Sequence, residues 1–390
     1  MSDSVYLDNQ ATTPTDPRVR AALLPFLAIE NVGNPHSEHV AGGRAGAAVE
    51  IAREQVAALI GARPREIVFT SGATEANNLA LQGLSRSSQR RGNQIITLTT
   101  EHKCVLETVR YLGRQGFDVE FLPVSTDGLV EPAALAAAIT PETFLVSAMM
   151  ANNEIGVIQP IEELAAICRS RGVVFHTDAA QAAGKIPLDV HTAGIDLLSL
   201  SGHKIYAPIG VGVLFVSDDS PLRPEPLFWG GGQEGGLRSG TVAPHLCVAL
   251  GAASSVAAAE LEADAIRIGE LRDLFLRIVR ERYCDVRVNG SLARRLPGNL
   301  SLTFPGCDAD RLVGALQPDV SISTNAACSG GELQPSHVLL ALGLDATDAA
   351  STVRIGFGRF NTRNDVTRAA LRISEVACRI REREAEIAAE

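Results

Sequence analysis

One apolar run closes on an aspartate and another closes on a lysine. Gly172–His176 leads into Thr177-Asp178-Ala-Ala-Gln181, and Asp196–Leu200 leads into Ser201-Gly202-His203-Lys204. Both runs are short and rich in Val, Leu or Phe, so they read as strands with the charged groups standing at or beyond their ends. A lysine amine condenses with an aldehyde, and a carboxylate keeps a pyridine nitrogen protonated so that the ring withdraws electrons. Together they meet the requirements of a pyridoxal-phosphate (PLP) site. An isolated Asp usually caps a helix and an isolated Lys is usually solvated, but the Ser-Gly-His-Lys string behind an apolar strand outweighs that reading. Ser201 and His203 supply donors for a phosphate, and Gln181 reaches toward a ring hydroxyl.

Three further strand ends point the same way. Glu66–Thr70 runs into Ser71-Gly72-Ala73-Thr74-Glu75, the start of a helix whose free N–H groups suit an anion. Gly72 lets backbone approach closely and Thr74 adds a hydroxyl, although a plain Ser/Thr cap has the same spelling. Gln94–Thr99 ends in Thr100-Glu101-His102-Lys103, which sets an imidazole over or beside a ring unless His102 is a structural donor. Thr143–Met150 ends in Asn152-Asn153-Glu154, whose side chains either reach the cofactor hydroxyl or form an Asx-turn.

These ends belong to a strand–helix alternation that also includes Asp118–Leu122 and Gly212–Val216, with helical stretches at Glu75–Leu84, Lys103–Arg114 and Ile161–Arg171. That rhythm predicts an α/β fold with a mostly parallel sheet and helices on both faces, and ligands in such sheets bind at the carboxyl ends of strands. The Gly-rich segment Gly230–Gly236 follows, then a long Ala-rich helix over Pro244–Tyr283. Short strands at Asp285–Val288, Asn299–Thr303, Val320–Ser323 and Val353–Phe357, with a helix over Asp365–Glu386, predict a smaller α+β domain. We place the large domain at residues 16–260 and the small one at 1–15 plus 261–390. A chain of 390 residues is long enough for two cores.

Composition narrows the setting. A net charge of −10 gives no general pull toward nucleic acid, and no direct nucleic-acid binding is expected. No uncharged apolar run is long enough for a membrane span, and the first residues carry neither a basic leader nor an apolar core, so a cytoplasmic protein is expected. The seven cysteines are spread out with no Cys-x-x-Cys pair, which signals neither a disulfide framework nor a zinc site. Most of them should be small buried residues. Gly230–Gly236 lacks a Gly-Lys-Ser/Thr ending and Rossmann spacing, which argues against a nucleotide loop.

Together these segments resemble the cysteine desulfurases, the class V aminotransferase group of PLP fold-type I that supplies sulfur for iron–sulfur clusters and thiolated nucleosides. The likeness runs through Tyr6-Leu-Asp-Asn-Gln-Ala-Thr-Thr13, Gly33-Asn-Pro-His-Ser37, Ser71-Gly-Ala-Thr-Glu75, Glu101-His-Lys103 and Asn152-Asn-Glu-Ile-Gly156. It continues in Asp178-Ala-Ala-Gln181, Ser201-Gly-His-Lys204, Arg238-Ser-Gly-Thr241, Arg354 and Gly358-Arg-Phe360. It implies Lys204 as the Schiff-base lysine, Asp178 on the pyridinium nitrogen and His102 stacked on the ring in proton transfer. Asn153 and Gln181 would contact the ring hydroxyl. Ala73, Thr74, Ser201 and His203 would bind the cofactor's phosphate end, joined by Thr241 from the second subunit of a homodimer. Asn34 and Arg354 would hold the carboxylate of the substrate, L-cysteine.

The same resemblance gives Cys328 the reaction. The family's sulfur-accepting cysteine stands seven residues before a proline, as Cys328 does before Pro335. Its neighbours Ala327 and Ser329-Gly-Gly331 read as a flexible loop, and a thiolate there would take the substrate sulfur as a persulfide and leave alanine. A sulfur-acceptor protein, a cluster scaffold or a carrier, would receive it. Here Asn325 and Ala326 replace the usual Gly and Ser of the loop, and Gly235 stands where many relatives carry Arg. A selenocysteine lyase or another class V PLP enzyme is the nearest alternative.

Overall fold

A computed structural model describes residues 4–324, 327–329 and 332–389. Its centre is a seven-stranded sheet of β1 (Ile67–Thr70), β2 (Gln94–Leu98), β3 (Asp118–Leu122), β4 (Thr143–Ser147), β5 (Val174–Asp178), β6 (Leu197–Ser201) and β7 (Gly212–Val216). The order across the sheet is β1-β7-β6-β5-β4-β2-β3. β7 runs antiparallel to both neighbours and the other six strands share one direction, as the alternation of strands and helices predicts. β4 stops at Ser147, short of the expected Met150, whereas β5 continues through Asp178, which pairs with Ser199. Asp178 therefore ends its strand inside the ladder, which fixes its backbone more firmly than a loop would.

Both faces of the sheet are covered, so its strands read as continuous apolar runs. Ile96, Val213 and Phe215 turn to one core, and Ile95, Leu214 and Val216 turn to the other. The helices Ala73–Arg86 and Lys103–Arg114 close the second face. The helices Val40–Ile60 and Ile161–Ser170, with the first half of Pro244–Arg282, close the first. Val40–Ile60 begins Val-Ala-Gly-Gly-Arg-Ala-Gly, a poor helix spelling, and its packing against the long helix is what holds it. The two approach so closely that a Cβ on Gly251 would lie 2.7 Å from Ala52 Cα.

The long helix is apolar enough over part of its length to cross a membrane by length and composition alone. Its residues are instead shared between cores. Leu250 and Ala253 pack on the sheet, while Leu271, Phe275 and Val279 enter a separate cluster with Leu300, Leu302, Val353, Ile355 and Ile373. That second core lies on a four-stranded antiparallel sheet ordered Ser323–Thr324, Thr352–Gly356, Asn299–Thr303, Arg287–Val288. Val5 and Leu7 belong to it as well, because Val5–Tyr6 pairs in parallel with Val320–Ser321. This pairing carries residues 8–13 between the two cores, where Thr13 N donates to His203 O.

His176, fully buried in β5, bridges Ser147 Oγ at 2.8 Å and Ser199 Oγ at 3.1 Å. Burial pushes its pKa from 6.5 down to about 3, so the folded ring is neutral where the unfolded one is charged. Between those pH values the unfolded chain binds the extra proton, and stability must fall as pH drops from 6.5. The loss is bounded at roughly 4–5 kcal/mol. Urea unfolding from pH 7 to 4 should show this slope in the parent and a shallower one in His176→Gln; equal slopes would contradict the assignment.

Candidate active site

A cleft of about 460 Å³ opens at the carboxyl edge of the sheet. Ala73, Thr74, His102, Asn153, Asp178 and Gln181 line it. So do Ser201, His203, Lys204 and Arg354. Ten of the residues singled out from the sequence thus converge on one space.

Lys204 ends a short turn after β6 and donates Nζ to Gln10 O and Ala11 O, the latter at 2.7 Å. Burial, then the Arg354 cation, draws its pKa down to about 8, against the opposing pull of Asp8 and Asp178. A neutral amine is therefore far more accessible near neutrality than that of a solvated lysine. Asp178, 5% exposed, accepts from Asn77 Nδ2 at 2.7 Å and from Ala180 N at 2.9 Å. Donors on both oxygens fix the orientation of the carboxylate at the cleft wall. Asn77 sits on the Ala73–Arg86 helix and is fully buried. It escaped the sequence reading, although an Asn on the apolar face of a helix is itself a signal of a buried partner.

The helix Ala73–Arg86 opens on Gly72 at the mouth of the cleft. A Cβ on Gly212 would lie 2.6 Å from Gly72 Cα, so the β7–β1 edge brings backbone to backbone there. His102 caps the Lys103–Arg114 helix, with Nδ1 accepting from Cys104 N at 3.2 Å. Its ring is open to the cleft yet ringed by protein atoms, and burial lowers its pKa despite the attraction of Asp178. The two asparagines divide the roles offered for them. Asn152 Oδ1 makes the turn, accepting from Glu154 N and Ile155 N at 2.8 and 2.9 Å, and Asn153 lines the cleft.

Arg354 reaches the cleft from the second sheet and is held by Asp8 Oδ1 at 2.9 Å and Asn153 O at 3.3 Å. Its Nε is buried with no protein partner among the described residues. Asp8 also accepts from Ser323 Oγ at 2.6 Å. The sequence shows Asp8 only as part of a motif; its task appears once Val5–Tyr6 is paired.

Two expected residues lie elsewhere. Asn34 and Thr241 are exposed and do not line the cleft of their own chain; Asn34 Oδ1 accepts from His36 N at 3.0 Å. Cys328, expected in a loop, lies on a short strand, Ala327–Ser329, that pairs with Glu332–Gln334. Its side chain and the residues Asn325 and Ala326 lie outside the described residues. The foot of the pair is anchored, since Ser336 caps the His337–Ala341 helix and bonds Glu154 Oε2 beside the cleft. The expectation that the other cysteines are buried holds for Cys168, Cys247 and Cys307, but Cys284 is exposed and Cys104 lines the cleft. Cys104 Sγ lies 3.0 Å from His102 Nδ1, and burial, then Asp178, pushes its pKa up to about 12. It remains a thiol.

The donor set fits PLP: an amine, a buried carboxylate and a helix start flanked by a hydroxyl and an imidazole share one cleft. This fold, with a lysine at the carboxyl edge of β6, defines a PLP-dependent enzyme of fold-type I. A family model described as aminotransferase class-V matches residues 5–369. Human cysteine desulfurase is 51% identical over 93% of this chain and 79% of its own length. Cysteine desulfurase IscS of Ehrlichia chaffeensis is 47% identical over 97% of this chain and 92% of its own. A solved NifS-like protein superposes with a TM-score of 0.89 at 37% identity, covering 96% of this chain and 99% of that one. The chain belongs to the class-V aminotransferase family and, within it, to the cysteine desulfurases.

Proposed function

We propose that this enzyme converts L-cysteine to L-alanine and carries the released sulfur as a persulfide on Cys328. One observation carries the reading: Lys204 and Arg354, delivered by two different sheets, line one cleft beside the anchored foot of the Cys328 strand pair. The separate cluster on the four-stranded sheet supports a small domain at 1–15 plus 261–390 beside a large one at 16–260, with the substrate between them.

PLP, when bound, supplies an aldehyde for amino groups and a ring that takes up electrons from the substrate α-carbon. Lys204 would hold that aldehyde, and its amine would serve as the base for the substrate α-proton; a pKa of about 8 suits both tasks. Asp178 holds the proton on the ring nitrogen. His102 would cover the ring, while Asn153 and Gln181 would meet its hydroxyl. Ala73, Thr74, Ser201 and His203 take the phosphate, with Thr241 arriving from a second copy. Support for that homodimer is the exposure of Thr241 and of the nearby Phe228 and Trp229, the latter 80% exposed. Arg354 grips the substrate carboxylate through its planar fork, with Asn34 as a second donor.

The Cys328 thiolate attacks the substrate sulfur. The bond from sulfur to the substrate carbon breaks and its electron pair stays on that carbon; a proton added there and the α-proton returned by the Lys204 amine complete alanine. The persulfide then passes to an acceptor protein in iron–sulfur cluster or thiolated-nucleoside synthesis. Free thiols at all six cysteines whose side chains are described support a reducing, cytoplasmic setting.

Alanine formation from L-cysteine tests this reading directly. Arg354→Lys retains a cation for Asp8 but loses the fork, so KM for cysteine should rise roughly 10–100-fold with PLP content unchanged. An unchanged KM would show that the carboxylate binds elsewhere.

A further inference from the structure

Lys185 stands seven residues after Asp178, in the turn that leaves β5, and no role above uses it. Its Nζ donates to Gln181 Oε1 at 3.0 Å, its one hydrogen-bond partner among the described residues. No carboxylate among the described residues lies within ion-pair distance of it; nearby Asp264 is taken by Arg267 and Arg359. A half-buried cation without a counter-ion is costly, and desolvation, then the Lys204 and Arg354 cations, draw the Lys185 pKa down to about 7. An apolar side chain of the same length would fill the space without that cost, so the amine must serve its one contact.

That contact decides which way an amide faces. Gln181, 4% exposed, donates Nε2 to Gln10 O at 2.9 Å and lines the cleft. A backbone carbonyl can only accept, so Nε2 must face Gln10, and the lysine donor must then meet Oε1. Both neighbours select the same flip. An NH2 group has two hydrogens, and with one spent on Gln10 O the other is left for the cleft. Without the donor on Oε1, the Gln10 carbonyl alone would hold this orientation, and an amide turned the other way would present its oxygen to the ligand, where it would repel an oxyanion.

We infer that Lys185 is a positioning residue that holds the Gln181 amide with its NH2 edge toward the ring hydroxyl of bound PLP. The inference rests on the reading of Gln181 as the partner of that hydroxyl. It adds a specific cause for the amide's orientation, one turn away from the cofactor.

The test compares the cofactor-loaded parent with Lys185→Met, Gln181→Ala and the double variant. Two quantities are read: the absorption maximum of bound PLP, and the PLP dissociation constant from titration of cofactor-stripped protein. Gln181→Ala should move the band and weaken PLP binding about fivefold, the worth of one hydrogen bond. Lys185→Met should move the band in the same direction, and the double variant should match Gln181→Ala within about twofold because the lysine acts through the amide. Lys185→Arg, which retains a donor and has a neighbouring cavity of about 40 Å³ to enter, should restore the parent spectrum. A parental spectrum and affinity in Lys185→Met, or effects that multiply in the double variant, would overturn the inference. An unchanged spectrum in Gln181→Ala would instead overturn the ring-hydroxyl reading, and the inference with it.

Discussion

Cys328→Ala is expected to load PLP and bind L-cysteine as the parent does, yet to lose sulfide release in the presence of a reductant by about 1,000-fold or more. The size of the loss follows from the absence of a substitute. A nucleophilic thiol must ionise near neutral pH. Cys104, the one cysteine among those with described side chains that lines the cleft, is pushed up to about 12 by burial and by Asp178. Cys168, Cys247 and Cys307 are buried and pushed up to about 12 as well. Cys284 follows the far end of the long helix, and Cys378 lies against Arg282 O at that same end. None can take the sulfur from a substrate seated at Lys204. Methylene-blue detection of sulfide, beside an alanine assay, separates loss of transfer from loss of binding. Full sulfide release by the variant would remove Cys328 from the mechanism.

Lys204→Ala should lose the covalent cofactor altogether and reduce alanine formation by about 10,000-fold or more, since one side chain serves as anchor and as base. After borohydride reduction and removal of free cofactor, the parent should retain a pyridoxyl group on the polypeptide and the variant none. Its fold should survive. The Lys204 pKa is drawn down to about 8 chiefly by burial, so truncation relieves a desolvation cost instead of adding one. The Gln10 carbonyl keeps its bond from Gln181 Nε2, and Ala11, which lines the open cleft, can take water on its carbonyl. An unchanged melting midpoint with no retained cofactor is the expected pair of results; retained covalent PLP would move the anchor to another amine.

How much of this site could be read from the chain depended on whether each residue follows a strand. Asp178, Lys204, His102, Asn153 and Thr74 do, and a strand end at the carboxyl edge of a parallel sheet leaves few places for a side chain to go. Asp8, Gln10 and Ala11 follow no strand of that sheet. They reach the cleft because Val5 pairs with Val320, a contact that no local pattern encodes. Asn77 was hidden for a different reason: its helix was legible, but the carboxylate it serves lies on another strand. The Val40–Ile60 helix was missed because Gly42, Gly43 and Gly46 speak against helix locally, while a long neighbouring helix stabilises it from outside. The strand pair around Cys328 reads as a loop for the same cause, its small residues carrying no strand signal of their own.

The central claim is that sulfur leaves L-cysteine for Cys328 within a cleft organised around Lys204. Mass spectrometry of peptides from protein incubated with L-cysteine and trapped with an alkylating agent tests it most directly. One additional sulfur atom on the Cys328 peptide, formed in step with alanine, is the result predicted. Alanine accumulating with the added sulfur on Cys104 or another cysteine, or on none, would contradict it.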